Sequence, residues 1–271
     1  MMRSLYTAAS GMKAQQTNVD VISNNLANVN TTGYKTSSAE FKSLLYQTLQ
    51  TKSTSANGDF KPIPAQVGTG TRNASITTHF TQGSVTASAN PFAFAIEGDG
   101  LFAVMDGDEI LYTRNGDFNM AVASDGGFML CTSEGYPVLD TDGMPIQFDS
   151  TYETSKIIVT GDGTICYPDE SNNPQSLGIR IGLYQFTNPS GLESVGSTMF
   201  KETEASGIAM EESSYPELKA SKVNQGYVEA SNVQVADEMV NLIVAQRAYE
   251  MNSKAIQASD EMLGQANQLK R

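Results

Sequence analysis

Residues 235–263 read VADEMVNLIVAQRAYEMNSKAIQASDEML, with no proline or glycine among them. Val228, Val235, Leu242, Tyr249, Ile256 and Leu263 recur every seven residues without a miss. An apolar repeat of seven keeps one narrow stripe of a helix turned towards a partner helix. Ala245, Ala248, Ala255 and Ala258 run beside it and are small enough to let neighbouring helices come close. Ser231-Asn232-Val233-Gln234 reads as a capping box with Ser231 as N-cap, and Gly264 follows the last repeat. The pattern predicts a helix over about 232–263, roughly 48 Å long at 1.5 Å per residue.

The other end of the chain carries a matching device. Leu5, Met12, Val19 and Leu26 are spaced by seven, and Ala8, Gln15, Ile22 and Val29 follow three residues after each. Gln15 is the only polar member. Asn18, Asp20, Asn24, Asn25 and Asn28 lie on the other faces, and Thr31-Thr32-Gly33 reads as the stop. The seam expected from the two stripes consists of Leu5, Met12, Val19, Ile22, Leu26 and Val29 at one end. At the other it consists of Val228, Val235, Leu242, Tyr249, Ile256 and Leu263.

Between the ends the chemistry of the chain changes. The first proline is Pro62 and the last is Pro216. Turn pairs occur at Asp106-Gly107, Asn115-Gly116, Asp125-Gly126-Gly127, Glu134-Gly135 and Asp142-Gly143. Strand-like runs lie at Phe128–Cys131, Tyr136–Leu139, Lys156–Thr160 and Gly178–Phe186. Short strands punctuated at this spacing predict antiparallel hairpins. Gln47–Gln66, rich in Thr, Ser, Gly and Pro, reads as an extended or flexible segment with little to bury. The expected fold class is α+β, with paired, coiled-coil-like terminal helices and an inserted, mainly antiparallel β-domain. The expected division is 1–70 for the N-terminal helix and extended segment, 71–221 for the β-domain, and 222–271 for the C-terminal helix.

Charge follows the same division. The chain of 271 residues has a formal net charge of −13. Residues 1–35 hold three basic residues against one acid, and 222–271 hold five against six, which leaves −14 for 36–221. Near-neutral ends suit packing against copies of themselves, while an acidic middle stays solvated. An acidic chain is a poor partner for nucleic acid, because phosphate binding needs clustered Lys and Arg. No run of about 20 apolar residues is present, so no membrane insertion is expected. The N-terminus lacks the apolar core of a secretory signal, so export without a cleaved signal is expected.

Chemistry is hard to place on this sequence. His79 is the only histidine, and no nucleophile is identifiable for it to serve; a surface or strand position is expected. Asp140-Thr141-Asp142-Gly143 resembles the opening of a calcium loop, but position 151, where the later glutamate belongs, is Thr. An ordinary hairpin turn is expected there. Gly68-Thr69-Gly70 and Gly161-Asp162-Gly163 lack the rest of a phosphate-binding loop. Adjacency of Ser221 and Lys222 does not make a dyad. Cys131 and Cys166 have no metal or redox spacing; two buried free thiols are expected, with a disulfide as the alternative. No catalytic residue, cofactor or metal site is assigned, and the chain is read as a non-enzyme.

Two stripes almost two hundred residues apart, each needing a partner, are satisfied if the ends pair within one molecule. Such a two-helix unit still lacks a core, and stacking identical units would supply one. An internal helical hairpin serving as ordinary core is the plainer alternative.

Three blocks of sequence resemble the bacterial flagellar rod and hook family. The first is Ser10-Gly11-Met12 with Ser23-Asn24-Asn25-Leu26-Ala27-Asn28 and Thr32-Gly33-Tyr34-Lys35. The second is Ala95-Ile96-Glu97-Gly98-Asp99-Gly100-Leu101-Phe102 with Tyr112-Thr113-Arg114-Asn115-Gly116. The third is Glu229-Ala230-Ser231-Asn232-Val233 with the run from Glu238 to Glu250, which contains Gln246, Arg247 and Tyr249. Within the family, Tyr46–Gln66 leading into Gln66-Val67-Gly68-Thr69-Gly70 is similar to the stretch that marks the distal rod subunit; a proximal rod or short hook subunit is the alternative. The resemblance implies export through the flagellar type III apparatus to the basal body outside the cytoplasmic membrane. It implies a helical homopolymer around a central channel, contacting other axial proteins (proximal rod, hook) and surrounding ring proteins. Outside the family, a β-domain adhesin on a helical stalk and a calcium-dependent enzyme remain as rival readings.

Overall fold

The computed structural model describes residues 2–50, 65–123, 126–149, 151–169 and 173–268, and the fold is α+β. Two compact units form. The first gathers Met1–Ala27, Ser37–Thr77 and Gln234–Arg271; the second gathers Asn28–Thr36 and Thr78–Val233. Residues 70 and 221, where the sequence reading divides the chain, fall inside the first and second unit respectively.

The first unit is a pair of long helices with two ribbons. Helix α1 spans Met2–Ala27 and α2 spans Val235–Gln268. Strand β1 (Ser37–Ser43) pairs with β4 (Thr71–Thr78), and β2 (Tyr46–Gln50) pairs antiparallel with β3 (Ala65–Gly68). The ends of the segment read as extended or flexible thus form a ladder, while residues 51–64 lie outside the described residues.

Helix boundaries correct the sequence reading at both ends. α1 stops at Ala27 rather than at Thr31–Gly33, which leaves Val29 in the following turn. α2 starts at Val235, with the Glu238 amide donating to the Gln234 carbonyl at 3.0 Å. Ser231 is therefore not its N-cap; its hydroxyl accepts from the Val233 amide at 3.3 Å, two residues on, which is a local turn competing with a cap. Acids in the first turn, Asp237 and Glu238, favour the positive end of the helix dipole instead. Gly264 does not end α2, which runs four residues further over a total of 34, about 51 Å at 1.5 Å per residue. Val228, the first member of the expected C-terminal stripe, lies in a strand opposite Thr86.

The second unit is wholly antiparallel in its strand pairing. Its short ribbons pair β5 (Val85–Ala87) with β20 (Tyr227–Glu229) and β6 (Phe94–Glu97) with β19 (Lys222–Gln225). β7 (Leu101–Asp106) and β8 (Glu109–Thr113) make a hairpin at Asp106-Gly107, where Gly107 has φ +62°. β9 (Asn119–Val122), β10 (Phe128–Cys131) and β11 (Gln147–Phe148) form one three-stranded sheet. β12 (Ile158–Val159), β13 (Thr164–Pro168) and β14 (Pro174–Arg180) form another. The largest sheet is ordered β16-β17-β8-β7-β15-β18, with β15 Leu183–Gln185, β16 Glu193–Gly196, β17 Met199–Lys201 and β18 Met210–Glu211.

The run expected as one strand over Gly178–Phe186 is two. β14 and β15 belong to different sheets, and the chain crosses between them at Ile181-Gly182. Tyr136–Leu139 gives isolated bridges only, because its residues turn in succession to Cys131, Val104 and Pro145 and no single strand runs beside it. Of Lys156–Thr160 only Ile158–Val159 is strand; Lys156 closes a single 3₁₀ turn. Asp140-Thr141-Asp142-Gly143 is a turn, the Asp140 amide donating to the Met144 carbonyl at 2.8 Å. Asp125 of the expected Asp125-Gly126-Gly127 turn lies outside the described residues. The main core gathers Phe94, Ile96, Phe102, Phe118, Leu130 and Ile165, among others. The cysteines are buried and free, and burial raises the Cys131 thiol pKa. His79 is exposed, just past β4.

Candidate assembly site

In the first unit, three close approaches between the two helices involve small or polar residues. Ser4 meets Ser259, hydroxyl to hydroxyl, at 3.3 Å. A Cβ placed on Gly11 would stand 3.0 Å from Asn252 Nδ2. Asn25 Nδ2 donates to Glu238 Oε1 at 3.3 Å. The pairs are antiparallel and in step: seven residues from Ser4 to Gly11 answer seven from Ser259 back to Asn252, and fourteen answer fourteen at Asn25 and Glu238. Asn25, 1% exposed, also donates to the Ser37 carbonyl at 2.8 Å and accepts from the Ser37 amide at 3.0 Å. It thereby ties the end of α1 to the start of β1. Burial raises the pKa of Glu238, against the lowering effect of the Asn25 bond.

The residues of the two expected stripes are accordingly divided. Ile22 is buried; Leu5, Met12, Val19 and Leu26 on α1 and Leu242, Ile256 and Leu263 on α2 are half-buried. Val235 and Tyr249 are exposed, each 42%. Asn24, Ala27, Gln246 and Arg247 are exposed, while Asn28 and Tyr34 are half-buried and Gly33 is buried. The most buried positions of α2 are Ala245 and Ser259, which belong to a neighbouring heptad series with Glu238 and Asn252. A second stripe on α2 is uncovered: Val240, Val244, Met251, Ala255, Ala258 and Met262 are exposed and recur at helical spacing.

In the second unit, one charged residue from each of the three sequence blocks meets the other two: Lys35, Arg114 and Glu229. Lys35 is 2% exposed and Glu229 is 0%. Lys35 Nζ donates to Glu229 Oε1 at 2.6 Å and to the Thr81 carbonyl at 2.8 Å. The Gly83 amide donates to the same Oε1 at 2.7 Å. Arg114, also 2% exposed, lies 3.6 Å from Glu229 Oε2 and donates to the Gly98 carbonyl. Backbone bonds reinforce the ion pairs. The Gly33 amide donates to the Glu229 carbonyl at 2.8 Å, and the Thr36 amide to Asn232 Oδ1 at 2.7 Å. Asn232 Nδ2 donates to the His79 carbonyl at 2.9 Å and to Thr81 Oγ1 at 2.8 Å.

A second buried carboxylate continues the network. Glu212 accepts from the Ser221 amide and hydroxyl, both at 2.7 Å, and from Gln185 Nε2 at 2.8 Å. Ser221 is thus a hydrogen-bond bridge, and its hydroxyl also accepts from the Gly100 amide at 3.1 Å. Desolvation lowers the pKa of Lys35 and of Arg114, and Glu229 opposes the shift in both; Asp99 and Glu212 also oppose it at Arg114. Two buried cations with two buried carboxylates hold the network near neutrality, which is what permits burial at all. Lys35, Arg114 and Glu229 lie inside the three blocks, and nothing in the spacing of the sequence assigns them this role. Glu212 lies outside every block.

Three family models match this chain: "Flagella basal body rod protein" over residues 5–35, "Flagellar hook protein FlgE/F/G D1 domain" over 95–167, and "Flagellar basal body rod FlgEFG protein C-terminal" over 224–269. The flagellar basal-body rod protein FlgG of Borreliella burgdorferi is 46% identical over the full length of both chains. The chain belongs to the flagellar basal-body rod family. This is a family of structural proteins, not enzymes. The FlgG proteins of Caulobacter vibrioides and Buchnera aphidicola (from Acyrthosiphon pisum) are 41% and 40% identical, each match covering 99% of this chain and all of the relative. No helix among the described residues is long and apolar enough to cross a membrane. The matched blocks are those whose side chains build the Lys35–Glu229–Arg114 network and the helix pair.

Gly33 shows how tightly the network is folded. Its φ is +69°, and a Cβ there would stand 2.5 Å from the Asn115 amide nitrogen and 2.7 Å from the Arg114 carbonyl carbon. Both are backbone atoms that cannot turn aside. Gly33→Ala should therefore cost about 2 kcal/mol or more, from left-handed strain plus a backbone clash. Urea unfolding monitored on the second unit checks this; an unchanged midpoint would show that the segment Asn28–Thr36 is not held there.

Proposed function

We propose that this chain is a distal rod subunit that polymerises into a hollow helical shaft, transmits torque and lets export substrates pass along its lumen. It works outside the cytoplasmic membrane. Its partners are copies of itself, the proximal rod and hook proteins at its ends, and ring proteins around it. The observation that carries this reading is the uncovered stripe of α2. Val244 and Met251 are 61% and 64% exposed on a helix that already has a partner on another face. A single pair of helices buries little apolar surface, and copies stacked side by side would bury more at roughly 25 cal/mol per Å². The heptad step of the Ser4–Ser259, Gly11–Asn252 and Asn25–Glu238 pairs supports coiled-coil-like packing of α1 on α2.

Electron microscopy of the purified chain at high concentration tests the proposal. Hollow tubes or filaments are expected. A protein that stays monomeric at every concentration, with both helices formed, would end this reading.

A further inference from the structure

Resting on the polymer reading above, we propose that a groove on the first unit, between α1 and its two ribbons, receives the uncovered α2 stripe of a second copy of this chain. Two adjoining cavities make the groove, one of about 580 Å³ and one of about 190 Å³, and Tyr6 lines both. The larger is floored by Ala9, Ala14 and Leu44, the smaller by Val67 and Gly68. Tyr6 stands 65% exposed at the junction, an aromatic anchor. Among the described residues, Arg3, Lys13 and Arg72 line the two cavities and no acid does. A groove that is apolar at the floor and cationic at the rim fits an occupant that is apolar along one stripe and acidic beside it.

α2 has that chemistry. It carries five acids (Asp237, Glu238, Glu250, Asp260, Glu261) against Arg247 and Lys254. Its uncovered stripe is apolar or small at Val240, Val244, Met251, Ala255, Ala258 and Met262, and small residues allow a close helix approach. Groove and stripe are different surfaces of one chain, so their contact is heterologous. Contacts of that kind do not close on a pair; they propagate into a ring or an open helix.

The test uses the full chain carrying one new cysteine at a time, Ala9→Cys in the groove or Met251→Cys on the stripe, against the parent whose Cys131 and Cys166 are buried. Under polymerising conditions with oxidant, an equal mixture of the two variants should give disulfide-linked dimers, and neither variant alone should. Filaments without mixed dimers, or dimers from either variant alone, would overturn the groove while leaving the polymer reading intact. No polymer from any of the three proteins would remove the reading on which the groove rests. Independently, Lys13→Glu with Arg72→Glu should raise the concentration needed for polymerisation about tenfold or more, through like-charge contact with α2. Adding Glu261→Lys to that chain should restore most of the loss; an unchanged threshold in the double variant would also overturn the proposal.

Discussion

Glu229→Ala should destabilise the second unit by roughly 3–5 kcal/mol, the loss expected when one partner of a buried ion pair is removed and a charge is left behind. Here two cations are left. Lys35 Nζ keeps only the Thr81 carbonyl at 2.8 Å, and Arg114 keeps the Gly98 carbonyl. The Gly83 amide loses its acceptor as well. For a domain of this size each kcal/mol moves the thermal midpoint by about 2–4 °C, so the drop should be on the order of 10 °C. The pH dependence gives a second signature. Burial already holds the Lys35 pKa below 10.5, and removal of Glu229, which raises it, lets it fall further. The unfolded chain then binds more protons at Lys35 than the folded one, so stability rises with pH. The variant's deficit should shrink as pH climbs from the folded Lys35 pKa towards 10.5. Calorimetry of wild type and variant across that range decides the matter; an equal deficit at every pH would mean that Lys35 is not left charged and buried.

The network also marks where sequence reading stops. Periodicity found both helices, because a stripe recurring every seven residues is a local property with one geometric meaning. It placed their ends poorly. Ser231 and Gln234 have the composition of a capping box, yet Asn232 is committed to residues 36, 79 and 81, so the chain stays extended until Gln234. Val228 continues the seven-residue spacing by coincidence and pairs in a strand. Turn chemistry located the Asp106-Gly107 and Asp142-Gly143 hairpins from dipeptides alone. It failed at Tyr136–Leu139, because whether a short apolar run joins a ladder depends on distant strands. Family resemblance identified Thr32–Lys35, Tyr112–Gly116 and Glu229–Val233 as blocks. What joins them is contact between residues 194 apart in the chain, and no window along the sequence contains that. The most buried α2 positions, Ala245 and Ser259, are small residues that an apolar stripe through Leu242 and Ile256 does not single out.

That division of α2 leads to the sharpest expected contrast, between two adjacent residues. Ala245 is 1% exposed and Val244 is 61% exposed. Ala245→Asp puts a carboxylate at a position closed to water, a cost of several kcal/mol, and the helix pair should open in the isolated subunit. Helical circular dichroism should fall and assembly should be lost with it. Val244→Asp changes a solvent-facing position, where a substitution costs within about 0.5 kcal/mol. Its monomer should keep wild-type helicity and unfolding. Assembly should nevertheless fail, because in a polymer that covers this stripe the new charge is desolvated in every subunit. Leu242→Asp, at a half-buried position, should show both defects in part. Sedimentation and circular dichroism of the three variants separate the packing within a subunit from the packing between subunits. Normal filaments from Val244→Asp would place the stripe in solvent within the polymer, and the assembly surface would then have to be sought on the ribbons, where Leu45 and Tyr46 are 88% and 63% exposed.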